Sequence, residues 1–229
     1  MSSDSDVIIA DDDNIIFEFD FLYQSNKEMY VPLVIDGRYK LFKKLQETKL
    51  CAVFALTDEN LVVKCIPIQY FKENSDEIIF LKEISHPNVI NCIECLTFPR
   101  FTAIIMPRAR TDLCEYIKYS GYQDEVIICS IMKQALEGLA YLHDQEGIWH
   151  RDIKPDNIFI MKETERGPLI QIADFGFSHK FETSEYQNAA CLGTVPYAAP
   201  ELLKPARGKS DFGLKFKQKA RCLFYLISI

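Results

Sequence analysis

With 229 residues, the chain is long enough for one large domain or two small ones. Hydrophobic residues make up 48% and charged residues 26%, an ordinary soluble globular composition, and a formal net charge of −7 argues against nucleic acid as a partner. Eight cysteines are scattered through apolar runs without regular spacing, which reads as reduced, buried thiols of an intracellular protein and not as a disulfide framework. The opening Met-Ser-Ser-Asp-Ser-Asp has no basic region before an apolar run, so no secretory signal is read. No apolar stretch approaches the roughly 20 residues that span a bilayer. The expected compartment is the cytoplasm, with the nucleus as alternative.

Residues 1–28 carry Asp11-Asp12-Asp13 and then Ile15-Ile16-Phe17-Glu18-Phe19. An acidic, solvated, disordered tail is the expectation there, with a short docking strand as the alternative. From Tyr39 the pattern predicts three consecutive strands, Tyr39–Phe42, Cys51–Leu56 and Leu61–Ile68, forming an antiparallel meander. Lys64 stands among aliphatics in the third. By position alone it reads as a strand-edge lysine facing solvent.

Ile78, Leu81 and Ile84 recur at helical spacing, so residues 72–84 are expected as a helix that ends before Pro87. Strands follow around Val89–Cys95, which contains the lone Cys92-x-x-Cys95, and Thr102–Met106. Asp112–Tyr119 is expected as a short helix and Glu125–Gln145 as a long one, on the period of Ile128, Ile131, Met132, Ala135, Leu139 and Leu142. Strands at Ile158–Met161 and Leu169–Ala173 flank a polar turn. Strands in the first half and helices in the second indicate an α+β protein of two lobes.

The densest chemistry lies in His150-Arg151-Asp152-Ile153-Lys154-Pro155-Asp156-Asn157, which precedes the apolar strand Ile158-Phe159-Ile160. Acids, bases and an amide beside a buried strand are costly to hold unless they contact a metal ion, a phosphate or a hydroxyl. This stretch matches H-R-D-x-x-x-x-N. Asp174-Phe175-Gly176 and Ala199-Pro200-Glu201 follow in order. Together the three motifs resemble the eukaryotic protein kinase family, over roughly residues 36–205.

The resemblance implies a kinase-like α+β fold: a small β-sheet lobe with one helix, a hinge and a mainly helical lower lobe. The expected boundaries are 29–106, 107–109 and 110–229 within a kinase domain at 29–229. It also implies roles. Asp152 would orient the substrate hydroxyl and accept its proton, and Lys154 matches the serine/threonine pattern and would meet the transferring phosphate. Asn157 and Asp174 would hold Mg²⁺, whose hard character suits their oxygens. Lys64 would contact the ATP phosphates and pair with Glu77, which overturns the solvent-facing reading. Val53 would cover the nucleotide and Met106 would stand behind the adenine. Arg108 and Ala109 would offer hinge backbone groups, and Asp112 would reach the ribose. Thr194, in Gly193–Ala198, would bond near Asp152 and Lys154, while His150 and Phe175 would pack in an internal apolar stack.

Departures from the family pattern are equally specific. Gln46, Thr48 and Cys51 stand where a glycine-rich loop belongs, so side chains should hold that loop back from phosphate. Lys49 is either a compensating phosphate contact or a solvated turn residue. The usual activation-segment phosphosite falls on Ala189-Ala190, which leaves Thr183, Ser184 and Tyr186 as the candidates. After Glu201 the helix with its D-x-W-S-x-G acid is not matched, so the lower lobe is expected to be incomplete, with an apolar Cys222–Ile229 open to a docking partner. The expected function is ATP-dependent phosphorylation of Ser/Thr in protein substrates. The alternatives are a weak or inactive scaffold and a kinase fragment.

Overall fold

The computed structural model describes residues 10–11, 14–19, 27–48, 51–68, 76–121, 124–180 and 194–197, with the backbone alone for those in 10–32, for 76–77 and for 195. The chain divides into two compact units, residues 1–75 with 92–108, and residues 76–91 with 109–229. Both α and β elements occur in the order the sequence suggests. Among the described residues, no helix is long and apolar enough to cross a membrane.

The first difference from expectation comes early. Ala10–Asp11 (β1), Asn14–Phe19 (β2) and Lys27–Pro32 (β3) form a three-stranded antiparallel sheet where a tail was expected. The register sets Ile15 opposite Val31 and Phe17 opposite Met29. β-Branched and aromatic residues favour such pairing, and here that preference outweighs the acidic composition. The expected boundary at residue 28 therefore falls inside β3.

Val34–Ile35 (β4), Tyr39–Glu47 (β5), Ala52–Leu56 (β6), Leu61–Pro67 (β7), Glu94–Thr97 (β8) and Phe101–Pro107 (β9) build a six-stranded antiparallel sheet in the order β4-β5-β6-β7-β9-β8. The expected meander is β5-β6-β7. One face of the sheet is a continuous core of Phe54, Leu56, Val63, Cys65, Ala103 and Ile105, all buried. Burial also pushes the Cys65 thiol well up from its ordinary pKa. The sheet curls until its two edges meet through side chains. Glu94, on the edge strand β8, accepts from Arg38 at 2.8 Å and from the Tyr39 hydroxyl at 2.6 Å.

The expected strand over Val89–Cys95 is not one. Val89 and Ile90 are buried, yet Ile93 is 51% exposed, and a strand begins only at Glu94. The backbone bonds of this segment go to two different partners, Ile172 for Ile90 and Ile105 for Ile93, so it serves as a connector. Nor are all the thiols buried: Cys114 and Cys129 are exposed on helices.

In the second unit, Asp76–Glu83 (α1), Thr111–Asp112 (β10), Leu113–Ser120 (α2) and Glu125–Ala140 (α3) come first. Each of the last two helices begins on an aspartate. Asp112 accepts from Glu115 N at 2.8 Å and Asp124 from Val126 N at 3.1 Å, a cap that satisfies an otherwise orphaned donor. The long predicted helix changes to a π turn at Tyr141–Gln145. Ile148–Trp149 (β11) pairs with His179–Lys180 (β14), and Ile158–Thr164 (β12) with Gly167–Ile172 (β13) in a hairpin that β10 joins. α3 packs Ile131, Ala135 and Leu139 on Ile158, Ile160, Ile170 and Ile172.

β13 is an edge strand, and its outward polar groups need partners if they are to be buried. Side chains and a connector supply them. Gln134 on α3 donates to Pro168 O at 2.9 Å and accepts from Ile170 N at 3.1 Å. Asn88 donates to Ile170 O at 3.1 Å, its carbonyl accepts from Ile172 N at 2.9 Å, and Ile90 N donates to Ile172 O at 2.8 Å. The connector after α1 thus takes the place of a fourth strand.

That approach requires Gly138. A Cβ there would lie 2.8 Å from the Asn88 carbonyl oxygen and 3.1 Å from Ile172 Cδ1. Alanine is the better helix former by ~1 kcal/mol, but overpacking against backbone costs about 1–3 kcal/mol. Gly138→Ala should therefore lower the thermal midpoint by a few degrees; a midpoint that rises would show that the connector can shift without loss.

Candidate functional site

The residues of the His150–Asn157 loop are held by the junction of β12 and β13. Asn157 O accepts from Ala173 N at 2.9 Å, which sets Asp174 one residue away from Asn157's backbone partner. Pro155–Asn157 forms a single 3₁₀ turn, closed by Asn157 N to Lys154 O at 3.0 Å. This turn returns the Asn157 side chain towards Asp152. Its amide nitrogen donates both to Asp152 O, at 2.8 Å, and to Asp152 Oδ2, at 3.0 Å.

Asp152 is 3% exposed, so its charge must be met inside the protein. Three donors meet it. Besides Asn157, Lys154 Nζ lies 3.0 Å from Oδ2 and Thr194 N donates to Oδ1 at 2.8 Å. Lys154 also donates to Thr194 Oγ1 at 2.9 Å, so Thr194 is tied to both residues, as the resemblance implied. Burial raises the Asp152 carboxyl, but the bonds from Thr194 and Lys154 outweigh it and hold the group below the usual carboxylate range. It is a carboxylate at neutral pH.

His150 stands behind this group, 1% exposed, with its ring 5.2 Å from that of Phe175. A carbonyl can only accept, so the 2.8 Å contact with Ala173 O puts the proton on Nε2, and Nδ1 accepts from Asp152 N at 3.4 Å. Burial lowers the His150 pKa, in keeping with a neutral ring. Ser178 Oγ donates to His150 O and Arg151 Nε to Phe177 O, which ties the loop to the segment after Asp174. Arg151 and Asp174 have φ of 64° and 65°. Left-handed backbone at a non-glycine costs on the order of 1–3 kcal/mol and tends to be kept at functional sites.

The first unit brings three further predicted residues to one place. Val53 pairs with Lys64, Ala55 with Val62 and Val62 with Met106, so Val53, Lys64 and Met106 share the sheet face opposite the core. All three are half-buried. At the expected hinge residues, Arg108 N donates to Asn60 O at 2.7 Å, so that amide is committed within the first unit; Ala109 is half-buried. Asp112, expected to reach the ribose, gives one carboxylate oxygen to capping α2.

Where glycines were expected, Gln46 sits in β5, while Thr48 and Cys51 close the hairpin. Thr48 N donates to Cys51 O at 2.8 Å, and Cys51 N to Thr48 Oγ1 at 3.2 Å. Glu77 lies on α1, but its side chain falls outside the described residues. So do Lys49, Thr183, Ser184, Tyr186, Ala199–Glu201 and Cys222–Ile229, and with them the Lys64–Glu77 pair, the phosphosites and the docking segment.

For a divalent ion the donor chemistry fits. Both amide hydrogens of Asn157 face Asp152, so its side-chain oxygen is the atom left to act as ligand, beside the exposed Asp174 carboxylate. These are hard oxygen donors of the kind Mg²⁺ takes.

The His150 environment carries a pH signature. Its folded pKa is depressed, so its stabilising contribution is complete above the unfolded value of about 6.5 and falls away as pH drops below it. Asp152 follows the same sign in a lower window: its contribution is present above the ordinary carboxylate pKa and lost as pH falls through the depressed one. His150→Phe should therefore lower the thermal midpoint at pH 7, yet reduce the further loss between about pH 7 and about pH 5. An unchanged pH 7-to-5 loss would show that the ring is not held neutral.

Residues 47–213 match the family model described as protein kinase domain. Over 202 residues the chain is 32% identical to calcium-dependent protein kinase 5 of Plasmodium falciparum, an alignment covering 84% of this chain and 33% of the relative. A probable myosin light chain kinase of Dictyostelium discoideum is 32% identical over 154 residues, 65% of this chain and 39% of that one. Calcium/calmodulin-dependent protein kinase type IV of Homo sapiens is 37% identical over 129 residues, 56% and 27%. The matched stretch thus spans two-fifths or less of each relative. With the family model matching most of the chain, this protein belongs to the eukaryotic protein kinase family.

Proposed function

We propose that the chain is an ATP-dependent protein serine/threonine kinase that transfers the γ-phosphoryl group of ATP to a Ser or Thr hydroxyl of protein substrates. The observation that carries this reading is the buried, fully hydrogen-bonded carboxylate of Asp152, with Lys154 and Thr194 locked beside it. A carboxylate held ionised and fixed in direction can orient a hydroxyl and take its proton during transfer. Lys154 adds a positive charge 3.0 Å from that carboxylate, where negative charge on a transferring phosphoryl group would need balancing. Asn157 and Asp174 would hold Mg²⁺, which when bound neutralises charge on the phosphate oxygens.

Lys64 would meet the phosphates from the first unit, supported by Glu77, with Val53 and Met106 lining the apolar nucleotide face. Ala109 would supply the hinge amide, and the second oxygen of Asp112 remains for the ribose. The serine/threonine assignment rests on Lys154 and Thr194 and on the kinases that the chain resembles. A cytoplasmic or nuclear setting, which supplies ATP and Mg²⁺, goes with this reading.

Two measurements test it. Mg·ATP should raise the thermal midpoint of the wild type, because a ligand that selects the native state stabilises it. Asp152→Asn should keep that shift while cutting phosphate transfer to a generic Ser/Thr substrate by ~10²–10⁴-fold. Transfer that survives the substitution would refute the assigned role of Asp152. The hairpin offers a separate check. Replacing Gln46, Thr48 and Cys51 with glycine together should lower the Mg·ATP concentration needed for half the shift, since the backbone could then approach phosphate without Cβ atoms in the way. A higher requirement would mean that these side chains themselves serve the nucleotide.

A further inference from the structure

We propose that Gln134 is a positioning residue for Asp174, acting through the free edge of β13. The proposal rests on the kinase reading for the role of Asp174, but its structural premise stands on geometry alone. Gln134 lies on the stripe of α3 that faces the core, between Ile131 and Gly138, where an apolar residue would be the ordinary choice. Its amide orientation is fixed by backbone partners: Ile170 N–H can only donate, at 3.1 Å from Oε1, and Pro168 O can only accept, at 2.9 Å from Nε2. Oε1 also accepts from Asn88 Nδ2 at 3.0 Å.

One side chain therefore joins three segments: α3, β13 and the connector that follows α1. Two residues beyond Ile170, Ile172 exchanges backbone bonds with Asn88 and Ile90. One residue further, Ala173 donates to Asn157 and accepts from His150. Asp174 comes next, in a left-handed conformation at φ 65° that only surrounding constraints can maintain. A strand edge satisfied on both sides transmits a fixed backbone to that residue. An edge with an unpaired N–H and carbonyl lets water in and the strand shift. The direction of the Asp174 carboxylate, and with it the affinity for a divalent ion, depends on which of these holds.

Gln134→Met removes the hydrogen bonds while keeping length and volume. Gln134→Glu keeps both accepted bonds, loses the donated ones and sets a carboxylate oxygen against the Pro168 carbonyl. In the Met variant, amide hydrogen exchange in the apo protein should accelerate by about ten-fold at Ile170 and onward through Ala173–Phe175. The Mg²⁺ concentration for half the ATP-dependent midpoint shift should rise by roughly three- to ten-fold, with the shift recovered at saturating Mg²⁺. The Glu variant, which keeps the partner of Ile170 N–H but not that of Pro168 O, should fall between the Met variant and wild type in both readouts. Should the Met variant fail to fold, Gln134→Asn, one methylene too short to span the same partners, carries the same expectation.

A merely structural role predicts faster exchange at Ile170 alone, a lower midpoint and an unaltered Mg²⁺ requirement, and that result would overturn the proposal. If the wild type shows no Mg·ATP shift at all, the kinase reading fails by itself. Exchange at Ala173–Phe175 then still decides whether Gln134 controls that turn, with unchanged rates counting against it.

Discussion

A single buried carboxylate organises the second unit. Asp152 cannot be 3% exposed and charged without donors, and the donors it has come from three separate places in the chain: Lys154 two residues on, Asn157 five residues on, and Thr194 far downstream. Each donor constrains a different segment. Asn157 requires the 3₁₀ turn that leads into β12, and Thr194 fixes the last described stretch of the chain against the loop. Loss of one donor would leave the charge partly uncompensated, which costs more than a surface contact of the same geometry.

A second constraint supports the first. The strand that delivers Asp174 lies at the edge of its sheet, and among the described residues no fourth strand covers it. Gln134, Asn88 and Ile90 take on that task, and Gly138 makes room for the close approach of the connector. Helix α3 therefore does more than bury apolar surface. It supplies the amide that finishes the sheet and the gap that lets the connector in. The first unit solves its edge problem differently, by curling until Arg38 and Tyr39 of one edge reach Glu94 of the other.

Much of this was legible in the residues. The spacing of apolar side chains located α1, α2 and α3, the meander and the β12–β13 hairpin, because burial against a core enforces the 3.6 and 2.0 periods. The loop His150–Asn157 was visible as a concentration of polar groups that only contacts could justify. Other features were misread for physical reasons. Val89–Ile90 looked like a strand because both are apolar and buried, yet their backbone pairs with one residue of β13 and no ladder forms. The segment before Pro32 looked like a tail because its charge obscured a register that pairs aromatic with apolar residues.

The sequence by itself determined the family, the element order and the identity of the polar groups in the loop, since these depend on residue type and local period. Only the tertiary structure decided how those groups are used. Asp112 became a helix cap, the Arg108 amide was committed to Asn60, and Gln134 and Asn88, unremarkable in the sequence, became the partners of a strand edge. Hydrogen bonds between residues as far apart as Asn88 and Ile170 follow from which backbone groups the fold leaves unpaired. That is set only once the strands and helices have packed.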